Sequence, residues 1–260
     1  MQLTTTSITK TFAGVHALQD VNIRVDQREI VGLIGPNGSG KTTLINVISG
    51  VIPASSGRVA LGETSWEYRP SHQVARSGIA RTFQTIRLFE EMTVAENVEV
   101  AAVCSPRTSG WGSRPRTAAR RALDLLGLGL QANSLVGELS YGQQRRVEIA
   151  RAIAGEPQFL LLDEPAAGLN EAESDELLDT LRLLREHLGC GMLLIDHDLR
   201  LIMSGTERIY VLNEGQLLAE GSPSEIRNNP DVIRAYLGDD AATEERAGGT
   251  ISENIDQNGD

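Results

Sequence analysis

Gly35-Pro36-Asn37-Gly38-Ser39-Gly40-Lys41-Thr42 is a run suited to holding phosphate. It fits the pattern G-x-x-x-x-G-K-[ST], with a strand-like stretch before it and a helix-like stretch after it. The glycines let backbone N–H groups curl around β- and γ-phosphates, and a helix start adds its positive dipole end. Lys41 would neutralise phosphate charge, and the Thr42 hydroxyl would take a Mg²⁺ position. A second chemical unit, Asp163-Glu164, closes the apolar run Phe159-Leu160-Leu161-Leu162. Such a run ends at the edge of a parallel sheet, near the phosphate loop. There Asp163 would hold Mg²⁺ through water, and Glu164 could polarise an attacking water as a general base. By itself a carboxylate pair at a strand end is a solvated turn; the phosphate loop gives this one a task.

Two further side chains fit the same chemistry. His197 follows the apolar strand Leu193-Leu194-Ile195 and Asp196, within reach of a γ-phosphate. A lone histidine is more often structural, and the other motifs are what favour a catalytic role. His16, His72 and His187 have no such setting and are expected at the surface. Gln84, in Arg81-Thr82-Phe83-Gln84, carries a neutral amide that could ligate Mg²⁺ or bind the attacking water and leave when its segment moves. On its residues alone the favoured reading is an ordinary polar loop side chain.

The elements that must position these groups follow from periodicity and punctuation. Short β-rich runs cover Leu3–Lys10, Ala17–Val25 and Glu29–Ile34, and a helix runs from Thr43 to Ile48, closed by Gly50 and Pro53. Gly57–Leu61 is a further strand. Thr93–Val103, Thr117–Leu126 and Gln143–Ala154 are helical by apolar spacing. Strands and helices then alternate: Phe159–Leu162, Glu171–Leu188, Met192–Ile195 and Leu199–Ser204. A hairpin of Arg208–Asn213 and Gln216–Ala219 follows. This order predicts an α/β protein with a mainly parallel core sheet, an antiparallel β edge and a helical insertion over about residues 88–156.

Composition bounds the partners. The 260 residues carry a net charge of −11, which argues against a general nucleic-acid binder. Residues 239–260 hold seven acids and one arginine and are expected to be a disordered, solvating tail. Ser105–Arg116, with Arg107, Arg114 and Arg116 and with Arg120 and Arg121 nearby, is expected as a solvated basic loop, or as a contact for anionic headgroups or a partner. Cys104 and Cys190 are expected as two unpaired thiols in a reducing compartment. No apolar run approaches the roughly 18–20 residues that span a bilayer. The first residues lack a signal segment, so the expectation is a soluble chain that meets a membrane through partners.

Leu139-Ser140-Tyr141-Gly142-Gln143 narrows the class, because it stands about twenty residues before Asp163-Glu164. With the phosphate loop, Gln84, Ala167-Gly168-Leu169-Asn170 and His197 in order, it resembles the nucleotide-binding subunits of ATP-binding cassette (ABC) transporters. The match runs over roughly residues 3–238, leaving 239–260 as an appendage. The resemblance implies a P-loop NTPase cassette that binds ATP and Mg²⁺. It implies that Phe12 stacks on adenine and that Gly35 to Thr42, with Thr43, hold the phosphates. Ser140 and Gly142, with Gln143 beside them, would meet the γ-phosphate of ATP held by the opposite subunit, in a head-to-tail dimer. Thr42, Gln84 and Asp163 would serve the metal, and Glu164, His197 and Gln84 the hydrolysis.

Tyr141 stands where the superfamily more often has Gly, and Asn170 where Asp is usual. Both resemble the subgroup that serves branched-chain amino acid uptake, as do Arg81–Gln84, Arg87-Leu88-Phe89, Met92-Thr93-Val94 and Ile226–Leu237. The implied partners are hydrophobic permease subunits, a second cassette (itself or a paralogue) and, indirectly, an extracytoplasmic solute-binding protein. The implied place is the cytoplasmic face of the cell membrane. Urea or short-amide uptake and lipopolysaccharide export are the rivals that share this chemistry. A soluble cassette ATPase is disfavoured by the single cassette without a heptad run, and a P-loop kinase by the LSYGQ segment.

Overall fold

The computed structural model describes residues 1–108 and 114–236. Two sheets organise it. A six-stranded sheet has the order β11-β10-β4-β9-β8-β7. Its strands are β4 (Ile30–Ile34), β7 (Ile79–Arg81), β8 (Phe159–Asp163), β9 (Gly191–Ile195), β10 (Arg208–Asn213) and β11 (Gln216–Gly221). Every pairing is parallel except β10 with β11, which form the expected hairpin. Strands β4, β8 and β9 are buried along their whole length, so they contain Ile, Val and Leu with no polar alternation.

The second sheet is antiparallel, in the order β2-β1-β5-β6 with β3 also on β1. It comprises β1 (Gln2–Phe12), β2 (Val15–Val21), β3 (Arg24–Asp26), β5 (Ser56–Leu61) and β6 (Thr64–Trp66). The expected single run Ala17–Val25 is two strands. β2 pairs with the second half of β1 and β3 with its first three pairing residues. Asn22 makes the break: its amide donates to Asp20 O, and its Oδ1 accepts from Ser7 N–H, each at 2.8 Å. A side chain that satisfies backbone groups in this way replaces a ladder bond.

Helix α1 (Lys41–Ile48) follows β4, and α2 (Ser71–Ser77) precedes β7. Helices α3 (Val94–Cys104), α4 (Arg114–Leu125) and α5 (Tyr141–Ala154) pack together as the helical unit. Their buried residues, among them Val98, Ala122 and Ile149, share one apolar cluster with Leu160, Leu162 and Leu194 of the parallel sheet. The helical unit is therefore anchored through the core. Helices α6 (Glu171–Leu188), α7 (Leu199–Gly205) and α8 (Pro223–Arg227) complete the alternation. Four of these helices start on capping boxes: Thr93 with Glu96, Ser140 with Gln143, Asn170 with Glu173, and Ser222 with Glu225. Asn170 thus has a local structural role as the cap of α6.

The second apolar cluster lies on the other face of the parallel sheet. It joins Leu33, Leu161, Leu193 and Leu212 to Leu44 and Ile48 of α1 and to Leu18 and Val59 of the antiparallel sheet. Cys104 is exposed, and Cys190 is buried, where desolvation pushes its thiol up to about 11. His16, His72 and His187 are exposed, as expected. The acidic stretch 239–260 lies outside the described residues.

Candidate nucleotide and hydrolysis site

The sheet order sets the site. β9 lies between β4 and β8, so the strand leading to His197 runs between the one entering the phosphate loop and the one ending at Asp163. All three run parallel and deliver their loops to one edge.

The loop between β4 and α1 shows why its glycines are needed. Gly40 caps α1 with φ +104°, and a Cβ there would lie 2.7 Å from Ala17 O. Gly38 has φ +76° and nothing within 4 Å of its missing Cβ, which leaves the backbone open to a phosphate. Lys41 Nζ donates to Gly35 O at 2.6 Å and to Pro36 O at 2.9 Å, so the ammonium lies folded across the loop. Ser39 is buried, while Thr42 is exposed and Thr43 half-buried in the first turn of α1. The antiparallel sheet borders the loop: Gly215 N–H donates to Ser39 O at 3.0 Å, and Gln19 N–H donates to Gly215 O at 2.8 Å. At the end of β1, Phe12 is 47% exposed, and the Lys10 ammonium lies 4.9 Å from its ring centre. The Phe12 ring is an exposed, flat apolar face of the antiparallel sheet.

Glu164 leaves β8 in the left-handed region at φ +50°, a conformation that costs a non-glycine residue about 1–3 kcal/mol. Its N–H is held by Ile195 O at 2.8 Å. Its carboxylate is bracketed: Gln84 Nε2 donates to Oε2 at 2.6 Å, and His197 Nε2 meets Oε1 at 2.6 Å. Three side chains singled out from sequence therefore converge, from three separate loops. Asp163 points elsewhere, to Arg81, whose Nη2 donates to Oδ2 at 2.8 Å. Between them, Asp196 accepts from Ala166 N–H and Asp198 N–H, each at 3.0 Å, and ties the loops after β8 and β9. Burial pushes the Asp196 carboxyl up, against the lowering effect of those N–H groups.

The LSYGQ segment opens α5. Ser140 is exposed and caps the helix: Gln143 N–H donates to its Oγ, and Ser140 N–H donates to Gln143 Oε1 at 3.1 Å. One turn on, the 1%-exposed Arg145 donates to Phe83 O at 2.9 Å, Gln84 O at 3.0 Å and Tyr141 Oη at 3.1 Å. Glu148 closes the group by accepting from Arg145 Nη1 at 2.7 Å and from Phe83 N–H at 3.3 Å. Desolvation raises the Glu148 pKa in spite of Arg145. Tyr141, which reads from sequence as an odd residue in the segment, is the hydroxyl partner of this buried arginine.

Arg81, Arg145, Glu148 and Asp196 are the site residues that sequence reasoning missed. The signal for Arg145 and Glu148 was their i, i+3 spacing on the α5 face that also carries Ile149 and Ala152. The basic loop is corrected in part. Arg107 turns inward, donating to Ser77 O at 3.0 Å and Gln158 Oε1 at 2.8 Å. Arg116, Arg120 and Arg121 pair with Glu99, Asp124 and Glu156. Acceptors distant in sequence draw Arg107 inward, and Arg107, Arg114 and Arg121 line one surface depression together with Glu156. Residues 109–113 of that stretch lie outside the described residues.

The donors available to a metal are the Thr42 hydroxyl, the Asp163 carboxylate and the Gln84 amide, all hard oxygen ligands. No group of three or more His, Cys, Asp or Glu side chains forms a metal cage among the described residues. This donor set fits Mg²⁺, which keeps several waters and binds one or two carboxylates together with substrate phosphates.

A phosphate cradle beside a bracketed carboxylate, on a parallel sheet with an added antiparallel sheet and helical unit, defines a P-loop nucleotide hydrolase of the cassette type. The family model described as "ABC transporter" matches residues 18–167, and the one described as "Branched-chain amino acid ATP-binding cassette transporter" matches residues 216–242. The chain is 47% identical over 240 residues to the high-affinity branched-chain amino acid transport ATP-binding protein LivG of Salmonella typhimurium, covering 88% of this chain and 94% of that one. Among solved structures, the ADP conformation of the ABC transporter cassette MJ1267 superposes with a TM-score of 0.83 at 34% identity, over 92% of this chain and 99% of that one. The dimeric structure of the bacterial cassette MJ0796 gives 0.75 at 29% identity, over 85% and 98%. The chain belongs to the family of ABC transporter ATP-binding subunits, and it is an ATPase of that type.

Proposed function

We propose that this chain powers uptake of branched-chain amino acids across the cytoplasmic membrane, as one of two cassettes paired head to tail beneath hydrophobic permease subunits. The observation that carries the hydrolytic part is the bracketed Glu164 carboxylate, held by Gln84 and His197 at the edge shared with the phosphate loop. In that position Glu164 takes a proton from the attacking water as its oxygen bonds to the γ-phosphorus and the bond to ADP breaks. His197 holds the carboxylate and steadies the transferred phosphoryl group. Bound Mg²⁺ would supply charge neutralisation between the phosphates, with Thr42, Asp163 and Gln84 as the residues that hold it.

Ser140 and Gly142, at the positive end of α5, are suited to a γ-phosphate, and the pairing presents them to the nucleotide of the other chain. The dimeric MJ0796 structure supports that arrangement. The identity to LivG and the match over residues 216–242 support the substrate class. No helix among the described residues is long and apolar enough to cross a membrane, so membrane contact falls to the permeases and solute choice to them and to a binding protein. The test is replacement of LivG by this chain in a Salmonella strain lacking it. Restored leucine uptake is the expected result. An ATPase-active chain that restores none would overturn the substrate assignment.

A further inference from the structure

Arg81 ends β7, three residues before Gln84, and its side chain is 7% exposed. Besides Asp163 Oδ2, it reaches α1, the helix that grows out of the phosphate loop. Its Nη1 donates to Asn46 Oδ1 at 2.6 Å and to Ser49 Oγ at 3.0 Å. The Ser49 hydroxyl itself donates to Ile45 O at 2.6 Å, so its oxygen is an acceptor for the guanidinium. The next residue, Thr82, accepts from Asp163 N–H at 3.4 Å through its Oγ1. Two consecutive residues of one strand end thus hold Asp163 by side chain and by backbone.

β7 is a three-residue edge strand whose sheet neighbour is β8. It is short, and it leads directly into the segment bearing Gln84. The Phe83 ring lies 4.8 Å from the Arg81 guanidinium and 4.4 Å from that of Arg87, which continues the contact into the same segment. A planar fork of donors fixes several acceptors in one geometry, which an ammonium does not.

We propose that Arg81 is a positioning residue for the metal carboxylate. It sets Asp163 against α1, and it makes that setting depend on the segment that carries Gln84. With Oδ2 committed to Arg81, Oδ1 is the oxygen through which Asp163 acts on the cation. A shift of the Gln84 segment then disturbs both acids at once, Asp163 through Arg81 and Glu164 through Gln84. This rests on the metal role of Asp163 stated above.

The test uses the full chain with Arg81→Met and Arg81→Lys, plus Asn46→Ala, which removes an anchor of the guanidinium. Three quantities are read: binding of a fluorescent ATP analogue in EDTA, the free Mg²⁺ giving half-maximal hydrolysis, and Mn²⁺ binding in the presence of ADP by electron paramagnetic resonance. Metal-free nucleotide binding should stay within about twofold. The Mg²⁺ requirement and the Mn²⁺ dissociation constant should rise about 10–100-fold in Arg81→Met, the usual loss when a partner of a metal ligand is removed. Arg81→Lys and Asn46→Ala should fall between. An unchanged metal requirement, whatever the fall in kcat, would overturn the proposal, as would equal loss of metal-free nucleotide binding. If Arg81→Met does not fold, Asn46→Ala decides alone by the same criteria. Asp163→Asn separates the two claims: an unchanged metal requirement there would sink the metal role of Asp163 itself.

Discussion

Gln84 Nε2 and Glu164 Oε2 lie 2.6 Å apart, joining the loop after an edge strand to a carboxylate held in a left-handed turn at the end of β8. The donor fixes one carboxylate oxygen and His197 the other, so Glu164 is aimed before any water arrives. Replacing Glu164 by Gln keeps the shape and removes the base. Hydrolysis should fall by about 10²–10⁴ while ATP binding persists. An ATP-bound dimer should accumulate in light scattering with Mg-ATP, and full residual turnover in this variant would remove Glu164 from the role.

Ser140 caps α5 by its own side chain, so a bulky cation there acts at an exposed helix start. Ser140→Arg should bind ATP and hydrolyse none. Lys41→Ala should fail through its phosphate loop. Mixed, the two variants form pairs in which one composite site has both residues intact. Activity should return on mixing; a silent mixture would argue that each chain completes its own site.

Arg145 and Glu148 are each 1% exposed, and each is the other's charge partner. Breaking such a pair from one side leaves a buried charge uncompensated, at a cost of about 3–5 kcal/mol. Arg145→Ala should lower the urea midpoint accordingly and also loosen the Phe83–Gln84 backbone. The double variant Arg145→Met with Glu148→Leu should recover much of the stability without the activity. A single variant as stable as the parent would contradict the pairing.

Asp196 tests the sign of a burial effect. Desolvation raises its folded pKa above the ordinary 3.8, so the folded state binds its proton more tightly than the unfolded state. The stability it contributes is present below 3.8 and lost as pH rises through the folded value. Asp196→Asn lacks this loss. The Tm of the variant relative to the parent should therefore climb as pH rises from about 4 toward neutrality. A difference independent of pH would show that Asp196 is not perturbed.

Legibility followed locality. The phosphate loop is a backbone code written in consecutive glycines, and β8 and β9 are apolar runs, so both were readable along with the helices that follow them. α2 and β7 were not. β7 has three residues, and what makes it a strand is its pairing with β8, some eighty positions away. Arg145 and Glu148 were hidden for a different reason. Charged residues in a helix ordinarily mark a solvated face, so the i, i+3 spacing beside Ile149 is a weak signal, and the position of Phe83 O and N–H is what makes this pair internal. Arg107 misled in the same way, since its acceptors lie on residues distant in sequence.

Arg145 has a consequence for the pair of chains. Its guanidinium grips the carbonyl of Gln84, and five residues earlier the same helix presents Ser140. Under head-to-tail pairing, the nucleotide of one chain presses on Ser140 of the other, and that helix leads back to the base of its own chain's site. Each carboxylate would then answer to the neighbour's nucleotide as well as its own, and the two lines of contact would join end to end in a ring. Free energies coupled in this way are reciprocal. On that arrangement, occupancy of the first site would lower the cost of arming the second, and release of phosphate from either would loosen the other, so the dimer should count its two nucleotides jointly.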